Sequence, residues 1–311
     1  MNKAAVIGHP IAHSLSPVLH NAAYRALGLD WQYSAFDIIP DGLSAFLSEK
    51  LVQCDDWVGF SVTMPLKPFI VPWLEGADVL NAGAQVLISP AVVATGVANT
   101  IYRGHRGLSI PTGAAGSPLE PPLSSQLLAD EATLYADNTD VYGIVAALRE
   151  VLRHGPVEDI AILGSGATAA SALAAAKELG ASKIAVFARN SDSLSTLSKA
   201  ADRLGISIIE KEITEAAKEL SEYDAVISTL PKYAADPIAL GLTQSGGVLL
   251  DVVYDPYPTD LVATWSALGG AIVGGERMLL HQAARQVELM TGTAAPRNAM
   301  DAALKAALFS S

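Results

Sequence analysis

Ile160-Ala161-Ile162-Leu163-Gly164-Ser165-Gly166-Ala167-Thr168-Ala169 is the stretch that decides the fold of this chain, because an apolar strand leads directly into the pattern G-x-G-x-x-A. Gly164 permits a tight turn, Gly166 lets a pyrophosphate approach the backbone, and Ala169 lets a helix pack closely on the strand. The alanine-rich run 168–179 favours that helix, whose N-terminus would face the phosphates. A glycine turn that binds nothing is the alternative. Strand, spacing and helix agree, so residues 164–169 are predicted to bind a dinucleotide.

The end of the next predicted strand, 183–188, indicates which dinucleotide to expect. A carboxylate at that point would accept hydrogen bonds from the adenosine ribose of NAD, but the chain has Arg189 and Asn190 there. An arginine can hold the 2′-phosphate of NADP. The sequence therefore predicts NADP, with both residues in the cofactor site. Asp192 lies close enough to leave NAD as an alternative, and Arg189 has the alternative role of a solvated loop cation.

Strands and helices alternate on both sides of this motif. Further strands of the same domain are predicted at 225–228 and 248–251, with helical segments between them. This half of the chain is therefore predicted to be doubly wound. Nearer the N-terminus, strands are predicted at 4–8, 31–37, 57–62 and 96–102, and a helix at 17–27. This alternation is typical of a mainly parallel sheet, so the first third is predicted to form a second α/β domain.

The length of 311 residues is about twice that of a usual domain, which favours two domains. Glycine and proline are dense between 103 and 133, so this stretch is predicted to be a long loop, close to a site or out in solvent. Two helices, at about 276–291 and 295–308, follow the last strand and are predicted to pack back on the first domain. The predicted division is 1–139 plus 277–311 for one domain and 140–276 for the other.

Charge, hydropathy and cysteine content exclude several classes of protein. The chain has 20 Lys and Arg against 32 Asp and Glu, a net charge of −12, and no basic cluster, so nucleic acid is not expected as a partner. No uncharged apolar run reaches the roughly 18 residues that span a bilayer, and the N-terminal run is too short for a secretory signal, so we expect a soluble cytoplasmic protein. The single cysteine, Cys54, excludes an internal disulfide. Irregular spacing of His9, His13 and His20 predicts no metal site.

Three further segments place polar side chains where predicted strands end. Lys67 closes the run 61–67, and a lysine among apolar neighbours either snorkels to solvent or does chemistry. Ser14 and Ser16 precede a helix that is expected to start at Pro17. Ser16 is then the N-cap, whereas Ser14 is unexplained, and two such hydroxyls would suit a polyhydroxy ligand. In the run 137–140, capping of the following helix would explain the presence of one polar residue, but hardly of all four.

Taken together, these segments resemble the shikimate dehydrogenase family over nearly the whole chain. The motifs that carry the resemblance are Val6-Ile7-Gly8-His9-Pro10-Ile11-Ala12-His13-Ser14-Leu15-Ser16-Pro17, Ser61-Val62-Thr63-Met64-Pro65-Leu66-Lys67, Gly96-Val97-Ala98-Asn99-Thr100, Asp137-Asn138-Thr139-Asp140, Asp251-Val252-Val253-Tyr254-Asp255-Pro256 and Met278-Leu279-Leu280-His281-Gln282. They occur in the family's order, and each is in the expected context of strand, loop or helix.

The resemblance implies an enzyme that reduces 3-dehydroshikimate to shikimate reversibly with NADPH, within aromatic amino-acid biosynthesis. It implies that Lys67 is the general acid/base and that Asp140 is the charge partner that orients it. Asn99 would hold substrate hydroxyls with Asp140, and Ser14 and Ser16 would bind the substrate carboxylate. The other implied pocket residues are Thr63, Tyr254 and Gln282. The domain 1–139 plus 277–311 would bind substrate and 140–276 would bind NADP, in a monomer or homodimer.

Some residues depart from the family pattern. Ser61 stands where family members usually have asparagine. Family members also usually have a second arginine shortly after the position of Arg189, and this chain has Ser193 there. The weaker grip on a 2′-phosphate leaves a quinate/shikimate dehydrogenase with relaxed or NAD cofactor use as an alternative. A non-catalytic ligand sensor of the shikimate pathway is an alternative of another class. Such a sensor would be expected to have lost Lys67 or Asp140, and this chain has both.

Overall fold

The computed structural model describes residues 1–81, 83–104, 133–152, 157–189 and 194–309. The chain divides into two compact units, one made of Met1–Thr139 with Gln282–Ser311 and the other of Asp140–His281. Each unit is built on a six-stranded sheet. Nearly all of the predicted loop 103–133 lies outside the described residues. Within the described part of the chain, no helix has the length and apolar content needed to cross a membrane.

The sheet of the first unit is mainly parallel, as predicted. Its strands are β1 (Asn2–Gly8), β2 (Trp31–Asp37), β3 (Trp57–Val62), β4 (Gln85–Ile88), β5 (Thr100–Arg103) and β6 (Thr133–Asp137), in the order β2-β1-β3-β5-β6-β4. β5 is antiparallel to both neighbours, and the other pairs are parallel. The strand predicted at 96–102 starts only at Thr100, because Gly96, at φ 70°, still caps the preceding helix.

The centre of this sheet is apolar along its length. All six residues of β3 and the last five of β1 are buried. Strands covered on both faces read as continuous apolar runs, which is why both were recognisable in the sequence. Ile7 and Phe60 pack in one core with Leu66, Ile70 and Leu74, which follow β3. The segment after β3 is therefore anchored to the sheet by its own apolar side chains.

The second sheet is parallel throughout. Its strands are β7 (Asp159–Leu163), β8 (Lys183–Ala188), β9 (Ile209–Glu212), β10 (Ala225–Ser228), β11 (Val248–Asp251) and β12 (Ala271–Val273), in the order β12-β11-β10-β7-β8-β9. Strand order thus runs outward from β7 in both directions, which is the doubly wound Rossmann order. The prediction of this fold is confirmed, although the edge strands β9 and β12 were not predicted from the sequence.

Helices cover both sheets. They are α1 (Ser16–Ala26), α2 (Pro40–Leu47), α3 (Ile70–Leu74), α4 (Ala77–Asn81), α5 (Pro90–Thr95), α6 (Thr139–Arg149), α7 (Ala167–Leu179), α8 (Ser195–Leu204), α9 (Ala216–Glu219), α10 (Asp236–Gly241), α11 (Asp260–Ala267), α12 (Gly275–Thr291) and α13 (Arg297–Phe309). α13 packs against α1, so the C-terminal helix returns to the first unit, as predicted.

Candidate active site

Several strands of the first sheet begin or end at the same edge of that sheet. β1 and β3 run parallel and end there, and β5 starts there because it is antiparallel to β3. β6 ends at the same edge, since it is antiparallel to β5, and β4 ends beside it. Residues next to these strand ends therefore share one edge. The carboxyl ends of strands are the usual position for ligand sites on open α/β sheets.

Backbone hydrogen bonds continue the pairing past the strand ends. They run from His9 N to Met64 O (2.9 Å), Thr63 N to Ile7 O (2.9 Å), Val62 N to Asn99 O (2.7 Å) and Asn99 N to Asp137 O (3.1 Å). Glycine is required at position 8, because an added Cβ would lie 2.8 Å from the carbonyl oxygen of Met64 and would also collide with Cγ2 of Thr63. The loops that carry Thr63 and Asn99 are thus held side by side.

Lys67 is buried just after β3. The N–H of Leu66 donates to the carbonyl oxygen of Thr63 at 2.9 Å, and Lys67 then begins a short 3-10 turn that ends at Phe69. Only 7% of Lys67 is exposed, and Leu66 beside it is fully buried. A snorkelling lysine keeps its ammonium group in water, so this degree of burial argues against a surface role.

Ser14 and Ser16 lie where β1 leads into α1. The prediction that Ser16 is the N-cap is wrong, because the helix starts at Ser16 itself and Leu15 occupies the N-cap position without a side-chain cap. Leu15 already has φ −87° and ψ 0°, which moves Ser16 into the first turn. The backbone N–H of Ser16 instead donates to Oγ of Ser14 at 3.4 Å. The Ser14 hydroxyl thus has the capping contact that sequence reasoning gave to Ser16.

The side chain of Asn99 is fixed against the start of α6. Its Oδ1 accepts hydrogen bonds from the backbone N–H of Thr139 and from Oγ1 of Thr100, both at 2.8 Å. Its Nδ2 donates to Oγ1 of Thr139 at 3.0 Å. Asn99 and both threonines are buried. The amide is therefore held in one orientation by groups that are themselves ordered.

Asp137, Asn138 and Thr139 each make a hydrogen bond to a residue outside the run 137–140. Oγ of Ser89 donates to Asp137 (2.7 Å), Asn138 donates to Oγ1 of Thr95 (3.1 Å), and Thr139 donates to Asn99 (2.8 Å). These contacts join the run to α5 and to the loop before β5, which explains why capping alone did not account for it. The fourth residue, Asp140, is buried in the first turn of α6, where the helix dipole favours a carboxylate.

α12 carries two glutamines on one face. Gln282 is buried, and Gln286 follows it by one helical turn. Gln286 accepts a hydrogen bond from Oγ of Ser61 at 2.7 Å and donates one to Oγ1 of Thr100 at 3.0 Å. Sequence reasoning did not identify Gln286. The available signal was a second amide four residues after Gln282, beside the apolar stripe of Ala283, Val287 and Met290.

The glycine loop of the second unit connects β7 to α7. Gly164 has φ 107°, and a Cβ there would lie 2.6 Å from Oγ1 of Thr229, so both backbone and packing require glycine. Gly166 is the N-cap residue of α7, and a Cβ added to it would meet no protein atom within 4 Å. Ala169 is fully buried. The helix N-terminus is therefore close-packed on the sheet side and open on the other, which fits a phosphate group approaching its backbone N–H groups.

Arg189 directly follows β8 and is exposed. This position at the strand end is the one from which an arginine can reach the 2′-phosphate of NADP. Asn190 and Asp192, the other residues considered for cofactor choice, lie outside the described residues.

Tyr254 lies in the loop between β11 and α11. Asp251 organises this loop, because its carboxylate accepts hydrogen bonds from Oγ1 of Thr259 at 2.7 Å and from the N–H of Val253 at 3.3 Å. Burial raises the pKa of Asp251 above its usual range, while these hydrogen bonds oppose the shift. Tyr254 is half-buried. Tyr254 therefore lies in a loop that the hydrogen bonds of Asp251 hold in place.

The candidate residues are distributed over both units. The first unit contains Ser14, Ser16, Thr63, Lys67, Asn99 and Gln282, and the second contains Asp140, Tyr254, Arg189 and the glycine loop 164–169. Among the residues that the structure describes, no group of three or more His, Cys, Asp or Glu side chains is arranged to hold a metal ion.

Family models match both ends of the chain. One described as the shikimate dehydrogenase substrate binding domain matches residues 6–86, and one described as the shikimate 5′-dehydrogenase C-terminal domain matches residues 275–305. The protein named shikimate dehydrogenase (NADP(+)) from Citrifermentans bemidjiense is 30% identical over an alignment that covers 98% of this chain and 95% of the relative.

Solved structures share the fold over the full length. Shikimate dehydrogenase of Mycobacterium tuberculosis is 35% identical with a TM-score of 0.75, and the alignment covers 98% of this chain and 100% of the other. Shikimate 5-dehydrogenase of Mycobacterium fortuitum is 36% identical with a TM-score of 0.72, and the alignment covers 97% of each chain. Both units of this chain therefore have counterparts in these enzymes.

Proposed function

Since the chain belongs to the shikimate dehydrogenase family, we propose that it catalyses the reversible NADPH-dependent reduction of 3-dehydroshikimate to shikimate, a step of aromatic amino-acid biosynthesis. The observation that carries the proposal is the burial of Lys67 at the sheet edge, within the region matched by the substrate-binding family model. The name of the relative from C. bemidjiense supports both the reaction and the cofactor.

Reduction of the ketone requires one hydride at carbon and one proton at oxygen. Bound NADPH supplies the hydride. Lys67, as an ammonium group, donates the proton to the ketone oxygen, and in the reverse reaction its amine accepts the hydroxyl proton as general base. Asp140 is assigned as the charge partner of Lys67, because a carboxylate stabilises the ammonium form. The products are the alcohol and oxidised cofactor, so atoms and electrons balance.

The remaining polar residues of the sheet edge are assigned to the substrate. Ser14 and Ser16 would bind its carboxylate through their hydroxyl groups. Asn99 would hold substrate hydroxyls, with Thr63, Tyr254 and Gln282 completing the pocket. In this proposal residues 1–139 and 277–311 form the substrate-binding catalytic domain, and residues 140–276 form the dinucleotide-binding domain.

The glycine loop and the end of β8 are assigned to the cofactor. The backbone of 164–169 would hold the pyrophosphate, and the open space at Gly166 supports that role. Arg189 and Asn190 would hold the 2′-phosphate that distinguishes NADP from NAD. Because Arg189 is the only arginine in the segment 189–194, we keep a quinate/shikimate dehydrogenase with NAD use as the second candidate function.

Steady-state oxidation of NADPH in the presence of 3-dehydroshikimate tests the proposal. The matched reactions use NADH in place of NADPH and, in the oxidative direction, quinate in place of shikimate. We expect the highest kcat/KM with 3-dehydroshikimate and NADPH. A higher kcat/KM with NADH or with quinate would favour the second candidate, and no turnover with any pair would favour a ligand sensor.

We also propose that the protein is located in the cytoplasm and that it is a monomer or a homodimer. The single cysteine, Cys54, supports the location, because the chain has no internal disulfide to suit an oxidising compartment. Light scattering of the purified protein measures the assembly state directly.

A further inference from the structure

We propose that Tyr233 is a cofactor-contact residue, whose ring packs against the nicotinamide riboside half of the bound dinucleotide. The proposal rests on the assignment of the glycine loop 164–169 to the cofactor pyrophosphate, which is part of the proposed function. None of the motifs described above includes Tyr233. The observations that carry the proposal are the backbone conformation of this residue, the exposure of its ring and its position at the carboxyl edge of the second sheet.

Tyr233 has a backbone conformation that most side chains disfavour. Its φ is 68°, and among the residues that the structure describes it is the one non-glycine residue with a positive φ. It is the third residue of a turn that is closed by the hydrogen bond from Ala234 N to Pro231 O at 3.0 Å. A positive φ at this position of a turn favours glycine or asparagine, because a Cβ crowds the following carbonyl oxygen. The tyrosine therefore introduces backbone strain into the turn.

Packing of the ring does not offset this strain in the free protein. Tyr233 is 64% exposed, so its side chain buries little apolar surface. Nζ of Lys232 lies 6.0 Å from the centre of the ring, at the outer limit of a cation–π contact, and Lys232 is exposed as well. Strained residues without such compensation cluster at ligand sites. A strained backbone that carries an exposed aromatic ring therefore indicates a contact that is made when a ligand binds.

Residues on both sides of the turn hold it in place. Leu230 packs against the core of the second sheet, and Ala235 is buried in that core. The N–H groups of Ile238 and Ala239 both donate to the carbonyl oxygen of Ala235 at 3.0 Å, and α10 begins directly after the turn. The conformation of Tyr233 is thus imposed by its surroundings and not by its own preference.

The segment that leads from β10 to the turn starts against the glycine loop. The backbone N–H and Oγ1 of Thr229 both donate to the carbonyl oxygen of Leu163, at 2.9 and 2.8 Å. A Cβ added to Gly164 would lie 2.6 Å from Oγ1 of Thr229 and 3.5 Å from Cδ2 of Leu230. Tyr233 is four residues beyond Thr229, so the two Cα atoms are at most about 14 Å apart. A dinucleotide held at the glycine loop can therefore reach the ring.

Strand order indicates which half of the dinucleotide lies near the turn. In a doubly wound sheet, the strand after the glycine motif carries the residues that contact the adenosine ribose; here this strand is β8, and Arg189 follows it. β8 and β10 flank β7 on opposite sides. With the pyrophosphate at the end of β7 and the adenosine over β8, the nicotinamide riboside extends toward β10. Tyr233 thus meets the nicotinamide half.

Three substitutions separate the effect of the ring from that of the backbone. Tyr233→Asn removes the ring and accepts a positive φ, whereas Tyr233→Phe keeps both the ring and the strain. Leu240→Ala is the matched control, because Leu240 is 89% exposed on α10, the helix that follows the turn. We expect the Tm of Tyr233→Asn to be about 2–4 °C above that of the wild type and the other two to be unchanged. A lower Tm in Tyr233→Asn would show that the ring stabilises the free protein and would overturn the proposal.

Calorimetric titrations with NADPH and with 2′,5′-ADP measure the contribution of each half of the cofactor. 2′,5′-ADP has the adenosine, its 2′-phosphate and one further phosphate, but no nicotinamide. We expect Tyr233→Asn to raise Kd for NADPH about 3- to 10-fold, the size of one aromatic contact, and to leave Kd for 2′,5′-ADP within about twofold of the wild type. Tyr233→Phe and Leu240→Ala should leave both dissociation constants within about twofold.

Two results would overturn the proposal while the proposed function stands. One is an unchanged Kd for NADPH in Tyr233→Asn, and the other is an equal rise in both dissociation constants, since that would place the effect of Tyr233 outside the nicotinamide half. NADH has the same nicotinamide riboside, so Tyr233→Asn should raise its Kd by the same factor. A wild type that binds neither NADPH nor NADH would instead contradict the proposed cofactor use, and with it the role of Tyr233.

Discussion

Oδ1 of Asn99 lies 2.8 Å from the backbone nitrogen of Thr139, so the residue before β5 is hydrogen-bonded to the residue that opens α6. The two are 40 positions apart in the sequence. The next residue along the chain is Asp140. A proposed substrate-binding amide and the backbone that leads to the proposed charge partner are thus joined before a ligand binds, which lowers the ordering cost of binding.

Removal of the proposed acid/base should affect chemistry more than binding. Lys67→Ala is expected to lower kcat by roughly 10²- to 10⁴-fold, the usual contribution of a positioned acid or base, with a smaller change in KM. Lys199→Ala, which alters an exposed lysine on α8, is the control and should leave kcat unchanged. An unaltered kcat in Lys67→Ala would remove Lys67 from the mechanism.

Gly8 should tolerate no side chain. Gly8→Ala places a Cβ against Met64 O and Thr63, so we expect a loss of about 1–3 kcal/mol in the free energy of unfolding, together with reduced turnover as the loop before Lys67 shifts. Gly42→Ala is the matched control, because its Cβ would meet Cγ2 of Ile38 at an ordinary 3.9 Å inside α2. The control should be neutral or slightly stabilised. Urea denaturation of both variants measures the difference.

Substitution of the two glycines of the nucleotide loop, Gly164 and Gly166, should have different effects on stability and on cofactor binding. Gly166→Ala adds a Cβ in open space, so the free energy of unfolding should change by about 1 kcal/mol or less, while Kd for NADPH rises about 10-fold as the phosphate is displaced. Gly164→Ala should destabilise the fold itself, because of its φ of 107° and the nearby Thr229. Fluorescence titration with NADPH and thermal unfolding separate the two effects. Unchanged NADPH affinity in Gly166→Ala would argue against a phosphate site at this loop.

Arg189 should determine cofactor preference. Arg189→Ala is expected to raise KM for NADPH by about 10-fold, the loss of one charge-assisted hydrogen bond at an exposed site, and to leave KM for NADH unchanged. The comparison with NADH is the internal control, since NADH lacks the 2′-phosphate. Equal changes with both cofactors would mean that Arg189 does not contact this phosphate.

Acid should destabilise the first unit through His20. Burial lowers the pKa of His20 to about 4 from 6.5, and its ring stacks on Tyr33 at 3.9 Å between centroids. Between pH 6.5 and about 4, the unfolded chain therefore binds a proton at His20 that the folded chain does not bind. The contribution of His20 to the free energy of unfolding is thus fully present above pH 6.5 and is lost as the pH falls toward 4. The loss is on the order of 3 kcal/mol.

His20→Phe keeps the stacked ring and removes the titration. Urea denaturation at pH 7 and at pH 4.5 should show a smaller loss of stability in the variant than in the wild type. Equal losses in both proteins would show that His20 does not contribute to the acid sensitivity.

The strands that were predicted correctly share one physical property. β3 and β8 carry apolar runs that are buried on both faces of their sheets, so the local sequence already reports the environment. β9 has the sequence Ile-Glu-Lys-Glu at an exposed edge, and β12 has only three residues, so neither gives such a run. The cap at α1 was misplaced because the helix start depends on the backbone angles of Leu15, which the sequence does not specify.

In the candidate site, too, a feature reported by the local sequence was predicted, and one that depends on distant residues was not. Lys67 was conspicuous because a charge stood among apolar neighbours, and its burial agrees with that reasoning. The role of Gln286 could not be read locally, since its partner Ser61 is 225 positions away. Long-range hydrogen bonds between side chains depend on sheet order and helix packing, which no single segment encodes.

The central claim is that this chain reduces the ketone of 3-dehydroshikimate with a hydride from NADPH. The most direct measurement uses NADPH carrying deuterium at the transferable position, with mass spectrometry and NMR of the product formed by the wild-type protein. We predict shikimate with one deuterium at the carbon that carried the ketone, and a product yield that falls in Lys67→Ala. Product without deuterium, or no product from the folded wild type, would contradict the account.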